Sequence, residues 1–147
     1  MVALNISERH KTAKNIKARQ AFTLSIADVE HLKEADFFGI ASGNNMDDKF
    51  ERSGLTAIYS QKVAAPVIEE FPLTLECEVV ECQNTVYGFR VLVKIVNVLA
   101  DEKVLDENGK VDPTKLNAFV FDQFQSRYYA IGEKVGQAWE SGQELMK

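Results

Sequence analysis

The chain opens on an alternation, Val2-Ala-Leu-Asn-Ile6, that predicts a strand. The period then changes. In Thr12-Ala-Lys-Asn-Ile-Lys-Ala-Arg19, Ala13, Ile16 and Ala18 give a modest apolar face, and Thr12 stands where a side-chain cap would start a short helix. Phe22-Thr-Leu-Ser-Ile26 alternates again, as a half-buried strand does. Ser25 or Asp28 can cap the next helix, predicted from Val29 to Phe38 with Val29, Leu32 and Ala35 along one side and Gly39 at its end.

A loop of small and amide residues, Ala41-Ser-Gly-Asn-Asn-Met46, leads into a second short helix over 47–53, with acids in its first turn and Gly54 closing it. From Leu55 the pattern is strand. Leu73, Leu75, Cys77 and Val79 alternate with Thr74, Glu76, Glu78 and Val80, which predicts one buried face and one mostly wet face. Phe89 to Leu99 is apolar on both faces, as in a central or barrel strand. Asn108-Gly109 after Asp106-Glu107 is a tight-turn signal. Glu133 to Met146 reads as a final helix with contacts at Val135 and Trp139. Strands in series with helices at the margins predict an α+β, mainly β or small-barrel architecture, with residues 1–147 as one domain.

Composition narrows the classes. The 147 residues are 46% hydrophobic and 27% charged, close to globular averages, which excludes a disordered or fibrous chain. Seventeen basic against 22 acidic residues give a net charge of −5, which argues against a nucleic-acid binder. The longest apolar run is broken by Arg90, Lys94 and Asn97, so no membrane partner is expected. The start carries neither the basic n-region nor the long apolar stretch of a secretory signal, and the expectation is a cytoplasmic protein. Cys77 and Cys82, about 16 Å apart along a strand, are too distant for a disulfide. Two thiols and two histidines make no zinc set, and no metal is expected.

Charge is unevenly spread. From Arg9 to Ala27 there is no acid, while Arg9, Lys11, Lys14, Lys17 and Arg19 supply five cations. Ser7, Arg9, His10, Lys11 and Thr12 gather just ahead of a helix, whose free N–H groups and partial positive charge suit a phosphate. A solvated basic helix face is the plainer reading of the same residues. In the 42–50 loop, small residues let backbone approach a flat ligand, and Lys49 and Phe50 add a cation and an apolar wall; an ordinary connection between helices has the same composition. Phe119, Phe121, Phe124, Tyr128 and Tyr129 crowd eleven residues, as either pocket lining or core. His31 reads as surface.

Several segments together carry a resemblance. Ser7-Glu-Arg-His-Lys-Thr-Ala-Lys-Asn-Ile16, Ser42-Gly-Asn-Asn-Met-Asp-Asp-Lys-Phe-Glu-Arg-Ser-Gly-Leu55, Ala65-Pro66, Leu75-Glu-Cys77, the 104–112 hairpin and Tyr128-Tyr129-x-x-Gly132 occur in the order found in the flavin reductase-like, FMN-binding split-barrel family. In particular, the chain resembles the flavoredoxin-like branch. That resemblance implies a split β-barrel forming a homodimer, with FMN held non-covalently near the interface. Ser7, Arg9, His10, Lys11 and Thr12 would belong to the phosphate group, Ser42, Gly43 and Lys49 to the segment nearing the flavin, and Phe119 or Phe121, of which Phe121 is taken, to the ring. Family members usually carry some tens of residues ahead of this segment, including first barrel strands and an Asn/Thr-rich stretch at the flavin, so the implied barrel is N-terminally shortened.

The implied activity is that of a flavin reductase or flavin-mediated electron-transfer protein. It would be an oxidoreductase taking a hydride from NADH or NADPH, with the flavin rather than a catalytic side chain carrying the redox chemistry. A shortened barrel acting only as a dimeric binding module or scaffold is the alternative.

Overall fold

The computed structural model describes residues 1–146. Its strands are β1 (Val2–Ile6), β2 (Ala21–Ile26), β3 (Ala57–Tyr59), β4 (Pro66–Ile68), β5 (Leu73–Thr85), β6 (Gly88–Ala100), β7 (Phe119–Asp122) and β8 (Arg127–Ala130). The helices are α1 (Lys11–Arg19), α2 (Leu32–Ile40), α3 (Lys49–Ser53) and α4 (Pro113–Leu116). The main sheet is antiparallel in the order β1-β6-β5-β2, with β3-β4 and β7-β8 as two separate ribbons. The architecture is mainly β with flanking helices, as the sequence pattern predicts.

β6 is central because both of its faces are apolar. It pairs with β1 from Phe89 to Val93 and with β5 along its length. Phe89, Val91 and Val93 are buried on one face, where Ala13 and Ile16 of α1 and Cys77 of β5 close over them. Ala13 and Ile16 are three residues apart, so one face of α1 meets the sheet and its cations stay outside. The β5–β6 turn requires its glycine. Gly88 has φ +129°, and a Cβ there would stand 2.8 Å from the Ile6 carbonyl oxygen of β1.

The structure corrects several expectations. Thr12 is not the cap of α1: His10 holds that position, without a side-chain cap bond, and Thr12 is the second helical residue. The helix predicted over 29–38 splits into a 3₁₀ turn, Val29–His31, capped by the Asp28 carboxylate, followed by α2, which runs through Gly39 to Ile40. His31 is half-buried rather than surface, 2.6 Å from Asp28 and edge-on to Phe71. Cys77 and Cys82 are free thiols, and burial pushes the Cys77 thiol up from its ordinary pKa.

On β5 the face that alternation assigns to the core does pack there, with Cys77 buried and Leu75 and Val79 against it, but the opposite face is not wet throughout. Thr74 and Glu76 are buried, each 1% exposed. Register irregularities follow at Glu76/Cys77 and Val79/Glu81. A bulge inserts one residue out of phase, so a strict two-residue period fails across it. The Glu76 carboxylate accepts hydrogen bonds from Ser60 Oγ and from Asn97 Nδ2, the latter at 2.5 Å.

The final helix expected over 133–146 does not form. Among the described residues only a short 3₁₀ turn, Gln143–Met146, occurs there. Gly136 and Gly142 disfavour helix, Trp139 adopts φ +62°, and Ser141 bonds the backbone of Gln137 instead. Val135 and Trp139 bury against nothing among the described residues. No helix among the described residues is long and apolar enough to cross a membrane.

Glu76→Ala leaves Ser60 and Asn97 without their shared acceptor. Urea unfolding is expected to show a loss of about 2–3 kcal/mol. A loss below about 0.5 kcal/mol, the size of an unremarkable surface change, would mean that this carboxylate does not hold the strands.

Candidate functional site

A cavity of about 720 Å³ opens between the start of α1 and the segment running from the end of α2 into α3. Its walls include His10, Lys11 and Thr12 on one side, Ser42 and Gly43 on another, and Lys49 and Phe50 from α3. Six of the nine residues expected from the sequence thus meet in one place although they lie more than thirty positions apart. Ser7 and Arg9 stand beside it in the turn before α1, where Ser7 Oγ accepts from Arg9 N–H at 3.4 Å and the Ser7 carbonyl accepts from His10 N–H at 3.1 Å. Phe121 is elsewhere. It lies on the β7–β8 ribbon against Tyr128, half exposed, and does not line the cavity.

The join between the two segments is made by a residue absent from the expected set. Asn44 Nδ2 donates to the Arg9 carbonyl at 2.8 Å, and Asn44 Oδ1 accepts from Lys14 Nζ at 2.8 Å. One amide side chain therefore ties the loop to both the entry and the second turn of α1. Gly43 comes close enough that a Cβ would touch Lys11 Cβ and Cγ at 3.4 Å. The loop's small and amide residues were a signal for Asn44, but only the fold shows which backbone it reaches. Asn15 and Phe38 also line the cavity unannounced; Asn15 follows Thr12 by three positions on the same helix face.

Electrostatically the site is positive on balance. Asp47 is the one acid among its lining residues, against Lys11 and Lys49 and the start of α1. That helix has no acid in its first turn and no side-chain cap, so its leading N–H groups and their partial positive charge remain available to an anion. Lys49 Nζ donates to the Phe38 carbonyl at 2.9 Å and lies 5.3 Å from the centre of the Phe38 ring. Burial lowers its pKa from the ordinary lysine value. The Phe38 ring is parallel to Phe50 at 6.1 Å, which gives the cavity a flat apolar wall beside a cation.

A second cavity of about 780 Å³ adjoins the first and shares Thr12 and Asn15 with it. Its walls are mostly apolar, with Phe22, Ile58, Val63 and Pro66 among them, and Arg19 is its one charged lining residue.

Comparison with known proteins identifies the family and the fold. The family model for a flavin reductase like domain matches residues 1–125. The flavoredoxin structure of Desulfovibrio vulgaris (Miyazaki F) is 32% identical, with TM-score 0.88, covering 95% of this chain and 74% of that one. The flavoredoxin of Methanosarcina acetivorans is 25% identical, with TM-score 0.90, covering 98% and 75%. A Shewanella frigidimarina structure described as having a split barrel domain shares the fold at TM-score 0.78 and 23% identity, covering 92% and 68%. The chain spans about half the length of the curated relatives it matches.

Asn44→Ala should release the 42–46 loop from α1. Amide hydrogen exchange of residues 42–46 is expected to speed up several-fold, with about 1 kcal/mol lost from global stability. Unchanged exchange there would assign the loop's position to other contacts.

Proposed function

The chain belongs to the flavin reductase-like family, and from that premise we propose that the first cavity holds FMN and that the protein is a flavin reductase or a flavoredoxin-like electron carrier. One observation carries the proposal: the acid-free start of α1 and the 42–49 loop, two of the segments by which the chain resembles the family, line a single cavity of about 720 Å³. That volume lies within the ~300–1,000 Å³ of ordinary small-molecule sites.

The donor set fits a phosphorylated flat molecule. The leading N–H groups of α1, with Lys11, Thr12 and His10, suit the phosphate, and Arg9 and Ser7 add charge and order to the turn beside them. Phe38 and Phe50 offer apolar surface for a ring system, and the Lys49 ammonium is held beside them by the Phe38 carbonyl. Bound FMN would supply the redox chemistry, taking up a hydride from NADH or NADPH and passing electrons onward. Lys49 would favour an anionic reduced ring by Coulomb attraction, strengthened by its partial burial. Ser42 and Gly43 let backbone come close, and Asn44 keeps that backbone in place. The reading includes a homodimer.

Purified protein incubated with FMN and desalted is expected to keep a two-band flavin spectrum, and NADH or NADPH should bleach it. A colourless protein after reconstitution would sink the proposal. Replacing Lys11 and Thr12 together by alanine should weaken FMN binding at least tenfold, since a charge-assisted hydrogen bond is worth roughly 1.5–3 kcal/mol.

Lys49 adds a pH signature. Its pKa is lowered, so its cation is present below that pKa and is lost as pH rises, earlier than for an ordinary lysine. The preference for reduced over oxidised flavin should therefore fade with rising alkalinity, and this fading should vanish in Lys49→Met. An identical pH profile in both proteins would remove Lys49 from the ring's surroundings.

A further inference from the structure

The last twenty-eight described residues expose an amount of apolar surface that the rest of the molecule does not explain. Phe124 is 99% exposed and Trp139 93%, with Phe121, Tyr128 and Tyr129 each at least a third exposed. At ~200 Å² a ring, the exposed parts of these five come to about 650 Å² per copy and about 1,300 Å² over two, within the ~1,200–2,000 Å² of specific interfaces. The β7–β8 ribbon is anchored to its own chain at few points. Tyr128 donates to the Asp36 carboxylate at 2.6 Å, and Ile131 N–H donates to the Ala118 carbonyl at 3.0 Å. From Gly132 onward the hydrogen bonds among the described residues stay within the tail itself, as in Lys134 to Gln137, Ser141 to Gln137 and Gln143 to Trp139. The tail follows a defined path and makes no polar contact with its own body.

We infer that residues 132–146, carried out from the β7–β8 ribbon, form an arm exchanged between two copies of this chain, lying across the partner copy's second cavity with the Trp139 indole on its apolar wall. Charge supports this choice of occupant and of landing site. Among the described residues from Gly132 onward, Glu133, Glu140 and Glu144 stand against Lys134. The second cavity has Arg19 as its one charged lining residue, on a helix that also bears Lys11, Lys14 and Lys17. Its rim presents Ile58 and a 95% exposed Tyr59, apolar surface that an exchanged arm would cover. Reciprocal exchange closes as a two-fold dimer, which consumes both arms and leaves no free end to propagate. The second cavity shares Thr12 and Asn15 with the first, so the arm of one copy would complete the surroundings of the other copy's site. The inference rests on the homodimer of the proposed function and does not depend on which cofactor is bound.

The test uses the full chain in two ways. Trp139 is its one tryptophan, so emission reports the arm directly. Light scattering is expected to show a dimer whose tryptophan emission is blue-shifted, and Ile58→Glu should redden that emission and weaken the dimer at least tenfold. In a Cys82→Ser background, the pair Ile58→Cys and Trp139→Cys should give, on mild oxidation, a covalent dimer on a non-reducing gel with the cross-link mapped between those positions. A monomer at every concentration overturns the dimer reading and the arm with it. A dimer with solvent-like tryptophan emission, or no cross-link, overturns the arm alone. A cross-link within one chain places the arm on its own body and overturns the exchange.

Discussion

The buried Glu76 carboxylate is the constraint around which much of this molecule is arranged. An ionisable group at 1% exposure is costly unless its oxygens are matched, and here they are matched by two bonds, from Ser60 in a loop and from Asn97 on the neighbouring strand. Asn97 lies opposite Glu76 on β6, so that bond locks the β5–β6 register just where the bulge begins. Ser60 does more than donate. Its oxygen also accepts from Lys62 N–H at 3.0 Å and Val63 N–H at 2.9 Å, which sets the turn between β3 and β4. That turn presents Val63 and Ala65 to the second cavity, and Thr23 Oγ1 donating to the Pro66 carbonyl at 2.5 Å ties the same ribbon to β2. One polar cluster therefore fixes a sheet register and one wall of a cavity together.

The first cavity depends on a different kind of joint. α1 is held to the sheet from below by Ala13 and Ile16, an apolar contact that fixes its height and leaves rotation of the neighbouring loop unspecified. Asn44 supplies what packing does not, because an amide that donates and accepts at once can satisfy only one loop placement. Lys49 makes a similar join from the far side, binding α3 to the end of α2 through the Phe38 carbonyl. Lys49 is thus positioned by a hydrogen bond to backbone and is not consumed by a carboxylate partner. Lys17, which does pair with Glu8 at 3.1 Å, lies outside the cavity lining.

Much of this was legible in the residues. Regular periods marked β1, β2 and β6, and the short helix at 49–53 was marked by acids at its start and Gly54 at its end. The anion-favouring start of α1 and the 42–49 loop could be named from residue types, since the chemistry resides in those types. What could not be read was whatever depends on a break in period or on a distant partner. The burial of Thr74 and Glu76 depends on what covers their side of β5, and no local pattern marks it. Asn44 and Phe38 matter through what they reach. Phe121 lies outside the cavity of its own chain for a related reason: aromatic crowding signals burial, but it does not say against which body.

That last point bears on the C-terminal segment most of all. The spacing of Val135 and Trp139 suits a helix face, and a helix here would have satisfied the tail's backbone internally. Two interior glycines raise the cost of that helix by roughly 1 kcal/mol each. A short amphipathic helix gains its stability chiefly from the surface it packs on. Among the described residues of one chain that surface is missing, and the segment settles into a path stitched by its own turns, with the indole outside. Its apolar residues then hold a free energy unrealised by the single chain, larger than the helix penalty by any area scale. A contact that recovers it must come from a surface with apolar walls and opposite charge, and the second cavity with Arg19 on its wall has both properties. The same sequence feature that defeats the helix thus keeps the arm extended enough to reach another molecule.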